Sequence, residues 1–422
     1  MRMRQLLVSG FALFAMFFGA GNLIFPPFLG KSGGQDWFLG FLCFFLVEAL
    51  SCVGIYATIH AGGSVQSMHR SIGAKPGVVL NTAAILCTGV FIAPPRTAAT
   101  TYEMAVRPLF DGIGLLPFSI LFFVVVLLLT IRPSRVVEII GKCLTPALIV
   151  GILILIVVGI VNPIGEIAPS FSANIVQDGV LAGYQAMDIL SVAGFAIIIQ
   201  DNMVQSGWKT WEEQRSHVAG TTGVAALLLA VVYGGLTYLG ASTGASFGNG
   251  LDQAGLIVAI TQELLGQAGV IILAVVVTLA CLTTAIGLFG ATASYFQRLT
   301  GGRLSYRVGI VLLAVIGCAI CNLGLSTIIN IANPVLSVIC PPFMTTVVLL
   351  AFQSWISRPG LYKGAALGAT LASLLLALHD YLHIFAPAEL LPFYSYGFGW
   401  LLPAVLGGII GALLSKPAAA QN

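Results

Sequence analysis

Twelve times along this chain, about twenty or more residues pass with almost no charge. Read as helix, a run of that length spans the apolar layer of a bilayer, about 30 Å thick. A backbone amide finds no water in hydrocarbon, so only helices and closed barrels cross it, and runs this long are read as helices. The predicted spans lie at about 5–30, 36–60, 77–106, 115–131, 136–161, 179–205, 217–240, 267–297, 305–322, 326–354, 363–385 and 395–415. Only 8% of the residues are charged, against about 25% in soluble domains. The expected fold is therefore an all-α polytopic membrane protein with about twelve transmembrane helices, solvated by the lipid bilayer.

Alternation puts both termini and every even-numbered connection on one face of the membrane. Fifteen of the eighteen Lys and Arg fall on that face, among them Arg2, Arg4, Arg70, Arg132, Lys209 and Lys416. Lys31 and Arg107 fall on the other, and Arg96 lies within the third span. The positive-inside rule then places both termini in the cytoplasm. The first run continues past twenty residues with no small-x-small cleavage pattern before Gly19, so it reads as a retained span and not a signal peptide. Near-balanced charge without a basic block leaves no footprint for nucleic acid, and no required protein partner is evident. The eight cysteines, Cys318 and Cys321 included, lie within or beside apolar runs and read as small buried hydrophobes.

Two connections are more than turns. "GWKTWEEQRS" (207–216) has the character of a short amphipathic helix at the interface, anchored by Trp208 and Trp211. "LDQAGLIVAITQELL" (251–265) suggests an external helix too short and polar to span. Both segments read equally well as plain connectors.

The first span contains "MFFGAGNLIFPPFLG", Met16 to Gly30. It reads as two half-helices, 5–17 and 23–29, with Gly19, Ala20, Gly21 and Asn22 between them. Glycine costs about 1 kcal/mol relative to alanine inside a helix, and two in three residues permit unwinding. Close helix–helix packing is the competing explanation. The sixth span offers a weaker interruption in "MDILSVAGFAIII" (187–199), with Ser191 to Gly194 as the soft point. Five spans per unit is odd, so a second unit of five is inverted relative to the first. The division expected is 1–161 and 162–354 as inverted repeats with broken helices 1 and 6, then 355–422 with two extra helices and a tail. Interrupted helices at matching places in two inverted units point to a transporter's binding site.

At such a break, free N–H groups attract a carboxylate and free carbonyls attract an ammonium or a metal cation. One pair of breaks thus suits a zwitterion. The N–H groups of Ala20, Gly21 and Asn22, beside Gly19, would receive the carboxylate of an amino acid. Carbonyls near Phe17, Phe18 and Leu190, with Ser191 Oγ, would receive its amine, and Gly194 and Phe195 complete the candidate set. In the eighth span, "ACLTTAIG" can turn the Ala280 carbonyl and two threonine hydroxyls, Thr283 and Thr284, to one point. Uncharged oxygen ligands suit a weakly held monovalent cation such as Na⁺; the alternative is that the threonines bond back to their own helix.

Ionisable side chains within spans are costly and mark function by default. Glu48, Asp188 and Arg96 are candidates for coupling or gating, or for structural hydrogen bonds. Arg96 and Glu103, two turns apart, read as a buried pair or as part of a vestibule. His379, Asp380 and His383 read as an interfacial cluster, and Asn330, Asn333, Pro334, Pro341 and Pro342 as kinks that hinge a gate. No G-x-x-x-x-G-K-[ST] loop is present, so energy for transport would come from an ion gradient. No ring of charges or stack of carbonyls suggests a channel filter. No close nucleophile, base and metal set suggests an enzyme, and no organic cofactor is called for.

"FALFAMFFGAGNLIFPPFLG" (11–30) closely resembles the opening of the bacterial branched-chain amino acid carrier proteins, the leucine/isoleucine/valine:cation symporter family. "GYQAMD" (183–188), the length and the twelve spans are similar too. That family belongs to the amino acid–polyamine–organocation superfamily, whose fold is the LeuT-type five-plus-five inverted repeat. The resemblance implies Na⁺-coupled symport of leucine, isoleucine and valine into the cell across the inner membrane by alternating access. Carried over by position, it implies a cation site of the Ala15 and Phe18 carbonyls with Ala280, Thr283 and Thr284. Proton coupling through Glu48 or Asp188, other apolar amino acids as substrates, and a channel remain as alternatives. The sixth span lacks the Gly-x-Gly of the first, which leaves its contacts open.

Overall fold

The computed structural model describes residues 2–62, 72–110, 112–131, 135–205, 207–208, 210–244, 246–247, 250–356, 358–384 and 386–416. Arg70, Arg132 and Lys209, which enter the charge count above, lie outside the described residues. All regular structure among the described residues is helical. The first span is α1 (Arg2–Phe17) and α2 (Ala20–Gly33), and the second is α3 (Trp37–His60). The third starts as α4 (Ala74–Leu86), loosens into a π turn at Cys87–Phe91, continues as α5 (Ala93–Thr101) and ends in a second π turn at Tyr102–Val106. The fourth and fifth are α6 (Leu115–Ile131) and α7 (Arg135–Val161).

The second set of five begins with α8 (Ile175–Ala186) and α9 (Asp188–Gln205), then α10 (Trp211–Ala241) and α11 (Gln253–Leu299). It closes with α12 (Tyr306–Cys321) and α13 (Leu325–Ala351); α14 (Pro359–Leu382) and α15 (Leu401–Leu414) follow. Each of the twelve predicted spans falls on helix.

Helix α6 shows how these sequences divide their faces. Ser119, Phe122, Phe123, Val126 and Thr130 are buried, while Leu116, Ile120, Leu121, Val124 and Leu128 are exposed. Both stripes follow the helical repeat, yet both are largely apolar. The outer stripe of a helix in this setting faces lipid tails, which are as apolar as the core. Where lipid gives no hydrophobic drive, close approach is achieved by small residues. A Cβ on Gly30 would collide with the Thr237 carbonyl oxygen, and one on Gly240 would collide with that of Pro27. Helices α2 and α10 therefore cross backbone to backbone. Gly360, Gly364 and Gly368 on α14 meet the backbone of α15 in the same way, the first two at Gly411 and Gly407 and the third at Pro403.

The structure decides between several readings that the sequence left open. The segment 207–216 is not a separate interfacial helix: α10 starts at Trp211 and runs unbroken into the membrane. Thr210 caps it in a reciprocal box with Glu213, which satisfies two end donors at once. The segment expected as a short helix does form one, at 253–265, capped by Asp252 (Asp252 Oδ1 accepts from Gly255 N, 2.7 Å). It ends at Gly266, whose φ of 64° turns the chain into the eighth span. Glu103 pairs with Arg107 at 2.7 Å and not with Arg96; both residues of that pair line an open cavity with Gly250 and Asp252.

Candidate functional site

The first break is shorter than the sequence suggests. Only Phe18 and Gly19 leave helical geometry, and α2 begins at Ala20. Ala20, Gly21 and Asn22 thus form the first turn of α2, where backbone N–H groups have no partner one turn back. At the surface, α8, α10 and α11 start under polar caps from Asn174, Thr210 and Asp252. Helix α2 instead begins at an extended Gly19 with no side-chain cap. Pro26 and Pro27 lie in its interior, beyond the first turn, so their missing N–H groups free the carbonyls of Asn22 and Leu23.

The second break lies at Met187, four residues before the predicted Ser191. Met187 is in the left-handed region (φ 65°), and α8 and α9 meet there at a bend of about 40°. A non-glycine residue pays about 1–2 kcal/mol in that conformation and holds it only when its surroundings fix it. Its neighbours supply the fixing. Gln185, two residues before it, accepts from Arg96 Nη1 at both its backbone oxygen (2.6 Å) and Oε1 (3.3 Å). Asp188, just after it, accepts from Asn22 Nδ2 at 2.8 Å.

Asn22 joins the breaks. The nitrogen that donates to Asp188 also lies 2.9 Å from the Phe17 carbonyl oxygen, at the end of α1, and 2.5 Å from Tyr233 Oη on α10, and its two hydrogens serve two of these three oxygens at a time. The Asp188 carboxyl faces Glu48 on α3. Arg96 on α5 lies over the Phe25 ring at 5.6 Å, with Nη2 2.8 Å from where a Cβ on Gly21 would sit. All four polar groups are buried: Asn22 and Glu48 are 1% exposed, Arg96 4% and Asp188 6%. An ion without compensation at such a place costs several kcal/mol, and here Asp188 and Arg96 are hydrogen-bonded to Asn22 and Gln185.

From Arg96 the hydrogen bonds continue outward. Gln185 Nε2 donates to the Ile329 carbonyl (3.1 Å) and to Asn333 Oδ1 (2.5 Å) on α13. Helices α5, α8 and α13 are thereby tied through one glutamine.

Of the sequence candidates, the structure brings Gly19, Ala20, Gly21, Asn22, Asp188, Glu48 and Arg96 together around the breaks. Leu190 N bonds to the Met187 carbonyl (3.1 Å) at the start of α9, and Ser191 follows one residue on. Phe195 reaches back to Phe17, edge to face at 5.3 Å. Gly194 lies further along α9 on an open face. In the eighth span Thr283 Oγ1 donates to the Ala280 carbonyl at 2.9 Å, while Thr284 is half-buried. Cys281, in the same turn, neighbours Arg96 and Thr101. Ala15 and Phe18 flank the first break, where Phe18 stacks on Tyr233.

Tyr233 and Gln185 are the residues that sequence reasoning missed. Tyr233 sits in an apolar run with nothing beside it to mark a polar role. Gln185 lay in view within "GYQAMD", an amide three residues before an intramembrane acid, and that spacing was the available signal.

The chain matches, over residues 2–418, the family described as branched-chain amino acid transport protein. It is 34% identical to the branched-chain amino acid permease BrnQ of Bacillus subtilis, covering 97% of this chain and 96% of that protein. It is also 34% identical to the branched-chain amino acid transport system 2 carrier protein of Pseudomonas aeruginosa, covering 98% and 97%. Among solved structures it resembles a Na⁺-coupled sialic acid symporter in a substrate-bound outward-open state (TM-score 0.65, 13% identity, 98% of this chain and 91% of that one). At that identity the likeness speaks for the fold alone, which is the LeuT type with its first and sixth spans broken.

Proposed function

The chain belongs to the branched-chain amino acid transport protein family, and from that premise we propose that it is a secondary carrier that takes up leucine, isoleucine and valine with Na⁺ by alternating access. The observation that carries this reading is the Asn22–Asp188 hydrogen bond between the two breaks, with Arg96 against Gly21 beside it. Free helix-end N–H groups, a cation and two acids surround one point, and a zwitterion matches that set of charges. The apolar side chain would lie among Phe17, Phe18 and Phe195.

Cation coupling is supported by the charge balance when both acids are ionised. Glu48 and Asp188 supply two carboxyls to one guanidinium, and a zwitterion adds no net charge. A positive ion entering with the substrate compensates the surplus. For Na⁺, the carbonyls of Ala15, Phe18 and Ala280 with Thr283 and Thr284 offer uncharged oxygens. A threonine hydroxyl that donates within its helix keeps its lone pairs for an ion. A second reading, coupling to a proton, is favoured by one feature: the buried carboxyl of Glu48 facing that of Asp188. In either reading 1–161 and 162–354 are the two inverted units, with 355–422 outside them. The Lys and Arg distribution supports cytoplasmic termini in a bacterial inner membrane.

Counterflow of labelled leucine in proteoliposomes, with and without Na⁺ at fixed pH, tests this reading. Leucine, isoleucine and valine are expected to compete and Na⁺ to stimulate. Uptake driven by a proton gradient in Na⁺-free buffer rejects the ion assignment. Exchange that branched-chain amino acids fail to compete for rejects the substrate.

A further inference from the structure

We propose that Arg96 is a substrate-binding residue: its guanidinium takes the carboxylate of the transported amino acid at the first break, together with the N–H groups of the first turn of α2. This rests on the amino acid reading above and assigns the anion's main partner to a side chain of the third span.

Three observations carry it. Arg96 is buried, and among the described residues no carboxylate stands at ion-pair distance from it; Glu103, its neighbour in sequence, pairs with Arg107. The Asp188 charge acts on Arg96 only from beyond ion-pair distance, so the desolvated guanidinium keeps donors for a carboxylate at contact.

The second observation is which edge is free. Nη1 is taken by Gln185. Nε is buried and has no partner, and Nη2 is the nitrogen nearest Gly21. The Nε–Nη2 edge of a guanidinium is a two-donor fork that fits the two oxygens of a carboxylate. Gln185 in turn is fixed by Ile329 and Asn333, so the free edge is held in place.

The third is the identity of residue 21. A Cβ there would stand 2.8 Å from Nη2, 3.3 Å from Cζ and 3.2 Å from Phe25 Cε2. Glycine at this position leaves room for the guanidinium beside the free N–H groups. Arg96 and the helix end therefore lie side by side at Gly21, and both favour an anion.

The test compares leucine with leucinol, which has a hydroxymethyl group in place of the carboxylate. Binding of each to the purified full-length protein is measured by calorimetry with Na⁺ present, for wild type, Arg96→Lys and Arg96→Gln, with a thermal melt as the folding control. Wild type is expected to prefer leucine. Hydrogen bonds to a charged group are worth about 1.5–3 kcal/mol, so Arg96→Gln should lose about 10- to 100-fold in leucine affinity with leucinol affinity unchanged. Arg96→Lys keeps the charge without the fork and should fall between. Should Arg96→Gln fail to fold, Arg96→Lys decides alone, since a point charge in place of the fork still weakens leucine and not leucinol. Unchanged preference for leucine over leucinol in the folded variants overturns the assignment while leaving amino acid transport standing. A wild-type protein that binds no branched-chain amino acid overturns that reading, and this inference with it.

Discussion

Asn22 and Asp188 meet at 2.8 Å across 166 residues of chain. Each stands at the start of the half-helix that follows a break, so the bond ties one interruption to the other. The same Asn22 nitrogen lies within hydrogen-bond reach of the Phe17 carbonyl and Tyr233 Oη, so a single side chain on α2 touches α1, α9 and α10. Replacing it by alanine removes a donor from a buried carboxyl, a loss of about 1–3 kcal/mol. Asn22→Ala is expected to lower the melting temperature in detergent and to abolish leucine counterflow. Counterflow at the wild-type rate would show that the breaks work without this link.

Gly21 and Pro27 lie six residues apart in α2 and should respond differently. Gly21→Leu drives a side chain into Arg96 and Phe25 and is expected to abolish leucine binding. Pro27→Ala keeps the carbonyl that meets Gly240 and restores an N–H, so it should alter mainly the transport rate. Equal losses of leucine affinity in the two variants would contradict this division.

Thr284→Ala should lose the stimulation of leucine uptake by Na⁺ while residual Na⁺-independent binding persists. Retained Na⁺ dependence removes the eighth span from the ion site.

Glu48→Gln tests the proton reading against the Na⁺ reading. The substituted amide keeps the shape of the side chain and cannot take up a proton in exchange for charge. If the coupling ion is a proton, counterflow is retained but proton-driven accumulation is lost. If it is Na⁺, a Na⁺ gradient still drives accumulation in the variant. Both are read as the ratio of internal to external leucine in proteoliposomes.

Gly240→Val sets a Cβ against the Pro27 carbonyl and forces α10 away from α2. Overpacking of this kind typically costs about 1–3 kcal/mol, and because Tyr233 lies on the same helix, leucine binding should weaken along with thermal stability. A stable variant with full binding would show that the close crossing does not position the site.

How far the site was legible depended on what kind of signal each residue carried. The break at Gly19 to Gly21 was visible because glycines permit it in any context. The break at Met187 was not. Small residues drew the expectation to Ser191 and Gly194, whereas the chain turns at a residue with no preference for the left-handed region. The turn is flanked by bonds that Arg96 donates to Gln185 and Asn22 donates to Asp188, and those donors sit on other helices. Glu48, Asp188 and Arg96 stood out singly as costly charges, but their convergence did not. Arg96 was as compatible with Glu103 by spacing as with Gln185 in space.

By itself the sequence determined that the chain is helical, that its helices are apolar enough for lipid and that the first is interrupted. Those are consequences of a solvent that offers no hydrogen bonds, so composition and spacing along the chain suffice to state them. Only the tertiary structure decided where the second interruption lies, which acid and amide face each other, and that a lone arginine stands beside Gly21 with one edge free. Hydrogen bonds reach about 3 Å and depend on direction, and no pattern along one strand of sequence specifies which distant helix brings the partner to that distance.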